Sequence, residues 1–261
     1  AAPHATVRRI AGTALPARHP GSTGMRELAA DQAAAVMALA TSGRRLEVLV
    51  GPAGAGKTTT LGALASVWAQ RHGHGSVIGL APSATAAAEL SASLGIGCEN
   101  TAKWLYESVG DGAARRRRAA TALHAQGRAA SHEGRLSHAK VRFEQVAALE
   151  AEARRWRLGA GQLVIVDEAA MAATVDLDEL RAQAVAAGAK LVLVGDHAQL
   201  PAVGAGGAFG LLAEAGHRVE LSSLWRFTQP WEADASRGLR IGDPDVIARY
   251  ADHARISAGG G

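Results

Sequence analysis

Residues 48 to 60 read VLVGPAGAGKTTT: an apolar run of strand length, a glycine-punctuated loop, then Lys-Thr-Thr where a helix should start. The pattern G-x-x-x-x-G-K-[ST] is filled from Gly51 to Thr58. The spacing has a physical reason. Glycines at 51, 54 and 56 let the backbone curl into a concave nest whose N–H groups meet phosphate oxygens at the positive end of the following helix. Lys57 then reaches the β and γ phosphates, and the Thr58 hydroxyl ligates magnesium. Gly51, Gly54, Ala55, Gly56, Lys57, Thr58 and Thr59 are therefore the candidate phosphate-binding residues. A Gly-rich turn that merely carries Lys-Thr would need neither the strand before it nor the helix after it.

Working outward, further apolar runs alternate with helical stretches: LEVLV at 46 to 50, SVIGL at 76 to 80, QLVIV at 162 to 166, KLVLV at 190 to 194 and HRVEL at 217 to 221. This alternation predicts an α/β fold, a three-layer sandwich with a mainly parallel sheet and helices on both faces. Residues 1 to 24, rich in proline and glycine, read as a linker or arm. The core is expected over 25 to 225, and 226 to 261 as a segment leading onward. Residues 107 to 159 interrupt the pattern with a polar, Arg-rich, helical insertion without strands. It opens with four arginines at 115 to 118, and its helical pattern is clearest from Val141, where Val146, Leu149, Ala153 and Trp156 recur at helical spacing.

The 261 residues suffice for a large core, and 48% hydrophobic with 20% charged residues is ordinary for a folded enzyme-sized chain. Net charge +4 and pI near 9.7 favour a polyanionic partner. One cysteine, Cys98, excludes an internal disulfide and any multi-cysteine metal site, and it fits a cytoplasmic location. No apolar run is long enough to span a bilayer. The first residues contain no signal-type apolar core and no initiating methionine, so the chain reads as an excerpt. The His72-Gly73-His74 stretch is expected to be a helix-ending loop and not a metal cluster.

A second strand, LVIV, ends at Asp167-Glu168. Strand carboxyl ends in such a sheet share one crevice, which brings these acids beside the phosphate loop. Asp167 would hold magnesium and Glu168 would polarise the attacking water. No base-reading Asn-Lys-x-Asp loop is present, and the adjacent acid pair favours ATP hydrolysis over phosphotransfer. A third strand opens onto the same crevice in LVLVGDHAQLP at 191 to 201, where Gln199 can bond the γ phosphate or the lytic water and so report nucleotide state.

In order, GPAGAGKTTT, APSATAA (81–87), NTAKWL around Thr101, VIVDEAAM (164–171), GDHAQLP and LWRF (224–227) resemble the successive motifs of superfamily 1 helicases. The similarity is closest to the first RecA-like core of the RecD-like, 5′ to 3′ branch, and more narrowly to the helicase part of MobF-type conjugative relaxases. The resemblance implies an ATP- and Mg²⁺-dependent motor on single-stranded DNA. It also implies a second RecA-like core and a relaxase domain in a longer parent chain, and no membrane partner. It matches Gln32 to an adenine-reading glutamine and Arg226 to an arginine finger, and it assigns DNA contacts to Pro82, Ser83, Thr85, Thr101 and Lys103. Trp104 reads either as a base-stacking ring or as core. Arg115 to Arg118, Arg128, Arg135, Arg142, Arg154 and Arg155 read either as a phosphate-tracking surface or as a solvated helix face. Two rival functions stay open: a DNA-loading or docking module without turnover, and a P-loop ATPase acting on something other than DNA.

Overall fold

The computed structural model describes residues 28–196, 207–215, 218–222, 229–240, 242–253 and 255–256, with two short paired segments before them. Among these, Leu15–Pro16 of the expected arm pairs antiparallel with Met25–Arg26.

Six strands, β1 (Leu46–Val50), β2 (Val77–Ala81), β3 (Gly97–Asn100), β4 (Leu163–Val166), β5 (Lys190–Gly195) and β6 (Arg218–Glu220), form one sheet in the order β3-β2-β4-β5-β1-β6. Every pairing in it is parallel. Because both faces are covered, successive residues enter opposite cores. Leu163 and Ile165 of β4 pack with Leu49, Val192 and Val194 on one face. Val164 and Val166 pack with Val48, Val50, Leu191 and Leu193 on the other. Helices α1 (Ala30–Thr41), α2 (Lys57–His72) and α3 (Ala84–Leu94) cover the first face. The second is covered by α4 (Thr101–Ser108), α7 (Thr174–Ala187) and α8 (Ala208–Glu214) through Trp104, Leu177, Leu180 and Phe209. The expected three-layer sandwich is what forms.

Four of the expected strands are displaced by about one residue at their starts or ends, and β3 is an addition. Its sequence GCEN has no apolar run, and it is an edge strand with no fully buried residue. Its one apolar anchor is Cys98, opposite Gly79, where an added Cβ would come within 2.3 Å of the sulfur. Burial pushes the Cys98 thiol up to about 11, against a lesser downward pull from its hydrogen bond with Gly79, so it is a packed thiol and not a reactive one. At the opposite end of the sheet from the strand tips, Lys190 and Glu47 are both buried with Nζ and Oε1 3.9 Å apart, and Lys190 also donates to the Ser42 carbonyl at 3.0 Å.

The insertion is an antiparallel helical hairpin of α5 (Asp111–His132) and α6 (Leu136–Arg155). The insertion is helical as expected, and its helix begins at Asp111, thirty residues before the pattern becomes clear at Val141. The first helix has almost no apolar period to read: its inward residues are Ala113, Arg116, Ala120, Leu123, Gly127 and Ala130. They face Ala139, Val146, Leu149, Ala153 and Trp156, which recur at steps of seven, three, four and three, the spacing of a coiled-coil seam. Small residues bring the helices close, and at Gly127 an added Cβ would sit 2.9 Å from the Phe143 ring. At the root, buried Arg116 pairs with Glu107 and, at 3.4 Å, with Glu152. Two more helices, α9 (Pro230–Arg240) and α10 (Asp245–Asp252), follow the sheet, with Trp231 stacked on His253. Among the described residues no helix is long and apolar enough to cross a membrane.

Candidate functional site

The loop after β1 is tightly closed. A Cβ on Gly51 would lie 3.3 Å from Cβ of Ala55 and of Leu221, and the Gly51 N–H donates to the Gly195 carbonyl at 3.1 Å, joining the loop to the tip of β5. Gly54 and Gly56 have φ of +84° and +78°, left-handed conformations that favour glycine, and these turn the loop into the start of α2. Ala55, expected to face phosphate, is instead fully buried, and its N–H donates to the Pro52 carbonyl at 3.1 Å. It closes the loop. Lys57, at the first turn of α2, folds its ammonium back onto the carbonyls of Gly51 (2.7 Å) and Pro52 (3.2 Å). Thr58 and Thr59 are exposed on the cleft, whereas Thr60 is buried and donates its hydroxyl to the Gly56 carbonyl at 3.1 Å.

The loop opens into a cleft of about 900 Å³ beyond the carboxyl ends of the strands, and Lys57, Thr58, Asp167 and Glu168 all line it. Residues 110 apart in sequence are brought together because β4 and β5 insert between β2 and β1. The Asp167 N–H continues the sheet by donating to the Leu80 carbonyl at 2.9 Å. Glu168 then turns in the left-handed region at φ +51°, the one non-glycine there among the described residues. This turn sends both carboxylates toward the cleft, at a backbone cost of about 1–2 kcal/mol. Burial pushes the Asp167 carboxyl above the usual carboxylate range, opposed by the Glu168 N–H (3.0 Å to Oδ1) and by the charge of Lys57.

Two groups on the cleft wall escaped the sequence reading. Asp196, 4% exposed, stands just past the tip of β5. Like Asp167, it is an acid that ends an apolar run, and the sequence marks it by the same signal. Glu89 and Ser93 of α3 also line the cleft, and nothing in their helical context marks them. Gln32, on α1, lines the same cleft while 5% exposed, and its side-chain oxygen already accepts from the Ala29 N–H at 3.1 Å, capping α1. Gln199 and Arg226 lie outside the described residues.

The residues expected on DNA divide. Ser83 and Thr85 are exposed at the start of α3, where the Ser83 oxygen accepts from the Ala86 N–H at 3.0 Å. Pro82 is half-buried, and its carbonyl accepts from Asn100 Nδ2 at 3.0 Å. Thr101 is a correction. It is buried, and its hydroxyl donates to the Ala81 carbonyl at 3.1 Å, so it ties α4 to the tip of β2 and offers no hydroxyl to a ligand. Lys103 is exposed, bonded to Glu99 at 2.7 Å and set 5.5 Å from the centre of the Trp156 ring. Trp104 is core: it is 3% exposed, and Nε1 donates to Gln183 at 3.1 Å. His72 stacks on Trp68 at 4.8 Å and Gly73 ends α2, so that stretch is a packed helix end.

A closed glycine loop, a helix-start lysine and strand-end acids on one crevice of a parallel sheet define a P-loop protein with a RecA-like α/β fold. Residues 27–261 match the AAA domain family, and the chain belongs to it. It is also similar to conjugal transfer proteins. It is 29% identical to TraA of Rhizobium radiobacter over 219 residues, 82% of this chain. Over 108 residues, 39% of the chain, it is 36% identical to a probable TraA of Sinorhizobium fredii and 35% identical to TraA of Agrobacterium fabrum. The chain spans only 15% of the first relative and 10% of the other two. These matches bear out the resemblance drawn from the motifs, and they make the chain an ATPase-type, helicase-like domain related to conjugative proteins.

Proposed function

We propose that this chain is the ATP-binding and hydrolysing motor core of a DNA helicase, coupling turnover to movement on single-stranded DNA within a conjugative relaxase-helicase. The observation that carries the reading is the meeting of Lys57 with Asp167 and Glu168 on one cleft.

The donor set fits a magnesium-bound triphosphate. The loop is nest-shaped, Thr58 offers a hydroxyl, and Asp167 is a half-buried carboxylate that a cation would relieve. Bound there, the ion supplies positive charge to the phosphate oxygens. Lys57 exchanges its loop carbonyls for phosphate oxygens and neutralises charge that grows during bond breaking. Glu168, held outward by its left-handed turn, accepts a proton from the attacking water. Asp167 and Thr58 hold the metal, and Asp196 extends the acidic wall. Gln32 presents its amide donors to adenine. Gln199 senses the γ phosphate and Arg226 completes the site from outside the described core. Ser83, Thr85, the Pro82 turn and Lys103 hold the DNA backbone without reading sequence, as a motor requires.

The test is ATP turnover with and without single-stranded DNA, on the chain extended through a second core. Stimulation that disappears in Lys57→Ala and Glu168→Gln is the expected result. Nucleotide binding without turnover assigns a docking module instead, and turnover indifferent to DNA assigns an ATPase with another client.

A further inference from the structure

The chain's charge is unevenly distributed. Residues 111 to 157 hold eleven Lys or Arg and five Asp or Glu, a balance of +6. The whole chain carries 28 and 24, so everything outside the hairpin sums to 17 against 19, or −2. The entire positive excess sits on one projecting element.

Within the hairpin the arginines have different duties. Arg116 is a buried anchor, Arg135 pairs with Glu133 at the tip, and Arg142 donates to Gln145 at 2.9 Å. Arg115, Arg117 and Arg118 on α5, with Arg154, Arg155 and Arg157 at the end of α6, are exposed, and none of them forms an ion pair with a described residue. The contact of Arg116 with Glu152 sets these two runs level with each other at the root. Nearby Glu107 and Glu152 are both engaged by Arg116. Asp111 and Glu150 are exposed at the root as well, so its seven arginines outnumber its four carboxylates by three, whereas Lys140 and Glu144 in the middle of α6 balance. Six like charges gathered within two helix turns repel one another and favour a polyanion.

The geometry points to a second nucleic-acid site at the hairpin root, which binds phosphate backbone irrespective of nucleotide state. Lys103 over Trp156 makes this root continuous with α4, and α4 begins at the strand-tip turn proposed for DNA. Yet no hairpin residue lines the nucleotide cleft. The strand-tip contacts respond to ATP, and the root holds on throughout. The inference rests on DNA being the partner and does not depend on ATP hydrolysis.

The experiment is fluorescence anisotropy of labelled duplex and single-stranded oligonucleotides with the intact chain, with no nucleotide, with ADP and with a non-hydrolysable ATP analogue. Arg117→Glu, Arg118→Glu, Arg154→Glu and Arg155→Glu together should weaken binding more than about tenfold and lower the salt slope by roughly 3. The loss should be equal in all nucleotide states, with fluorescent-nucleotide affinity unchanged. The same four positions changed to Gln serve if the charge reversal lowers helix content. Lys57→Ala should leave root binding intact, which separates failure of this site from failure of the motor reading. The two oligonucleotides tell which form supplies the phosphates. Unchanged DNA affinity in the folded variant overturns the proposal and leaves the arginines as a surface for an acidic protein. A loss confined to one nucleotide state overturns its independence.

Discussion

The sandwich and the hairpin are held by opposite means. In the sandwich, large aliphatic side chains fill both faces of a sheet whose ladders are buried, and Leu163, Ile165 and Val192 are fully enclosed. In the hairpin, alanines and one glycine let two helices touch, little apolar area is covered, and one buried ion cluster fixes the base. Dense packing suits a site whose groups must stay in place, whereas a lean rod suits a projecting surface.

Five substitutions sharpen or break this contrast. The largest effect belongs to the sandwich's site: Lys57→Ala or Glu168→Gln should slow ATP hydrolysis by about 10³-fold, near 4 kcal/mol of barrier. Steady-state turnover checks this, and hairpin variants should leave it alone. Next, Ile165→Ala should lower stability by about 3 kcal/mol in denaturant unfolding. Arg116→Ala should destabilise by about 2 kcal/mol, because Glu107 loses its partner in a partly buried setting, and the loss should appear in hydrogen exchange of α5 and α6 before the sheet. If the sheet opens with it, the two regions are one cooperative unit. Smallest, Glu168→Gly should stabilise the chain by about 1 kcal/mol in thermal melts while abolishing turnover, since glycine relieves the left-handed turn.

A pH test follows from Asp167. Its carboxyl is raised in the folded state, so its favourable contribution is complete below the unfolded carboxylate value and is lost as pH rises through the folded one. Asp167→Asn should therefore raise the Tm of the nucleotide-free chain at neutral pH and have no such effect in acid.

The sandwich was legible because its signals are local. Period-two burial leaves unbroken apolar runs in β1, β4 and β5, and the phosphate loop is a contiguous spacing of glycines. The acids were found because strand ends in a parallel sheet must share an edge. What escaped depended on partners distant in sequence. GCEN becomes a strand only because Gly79 makes room for Cys98. The helix from Asp111 shows its seam only once α6 lies against it, since alanine and glycine on an inner face look the same as on an outer one. Thr101 carries the residue type of a phosphate contact, but its hydroxyl is taken by Ala81, a bond between residues twenty apart.

The length of the hairpin has a mechanical consequence. Its first helix has 22 residues, about 33 Å at 1.5 Å each, and it is clamped near one end by a single guanidinium. It is a lever with its fulcrum at Arg116: the far end lies 16 residues, or about 24 Å, away, so a tilt of about 10° there sweeps it through about 4 Å. Small adjustments beneath it would emerge at the tip as strides.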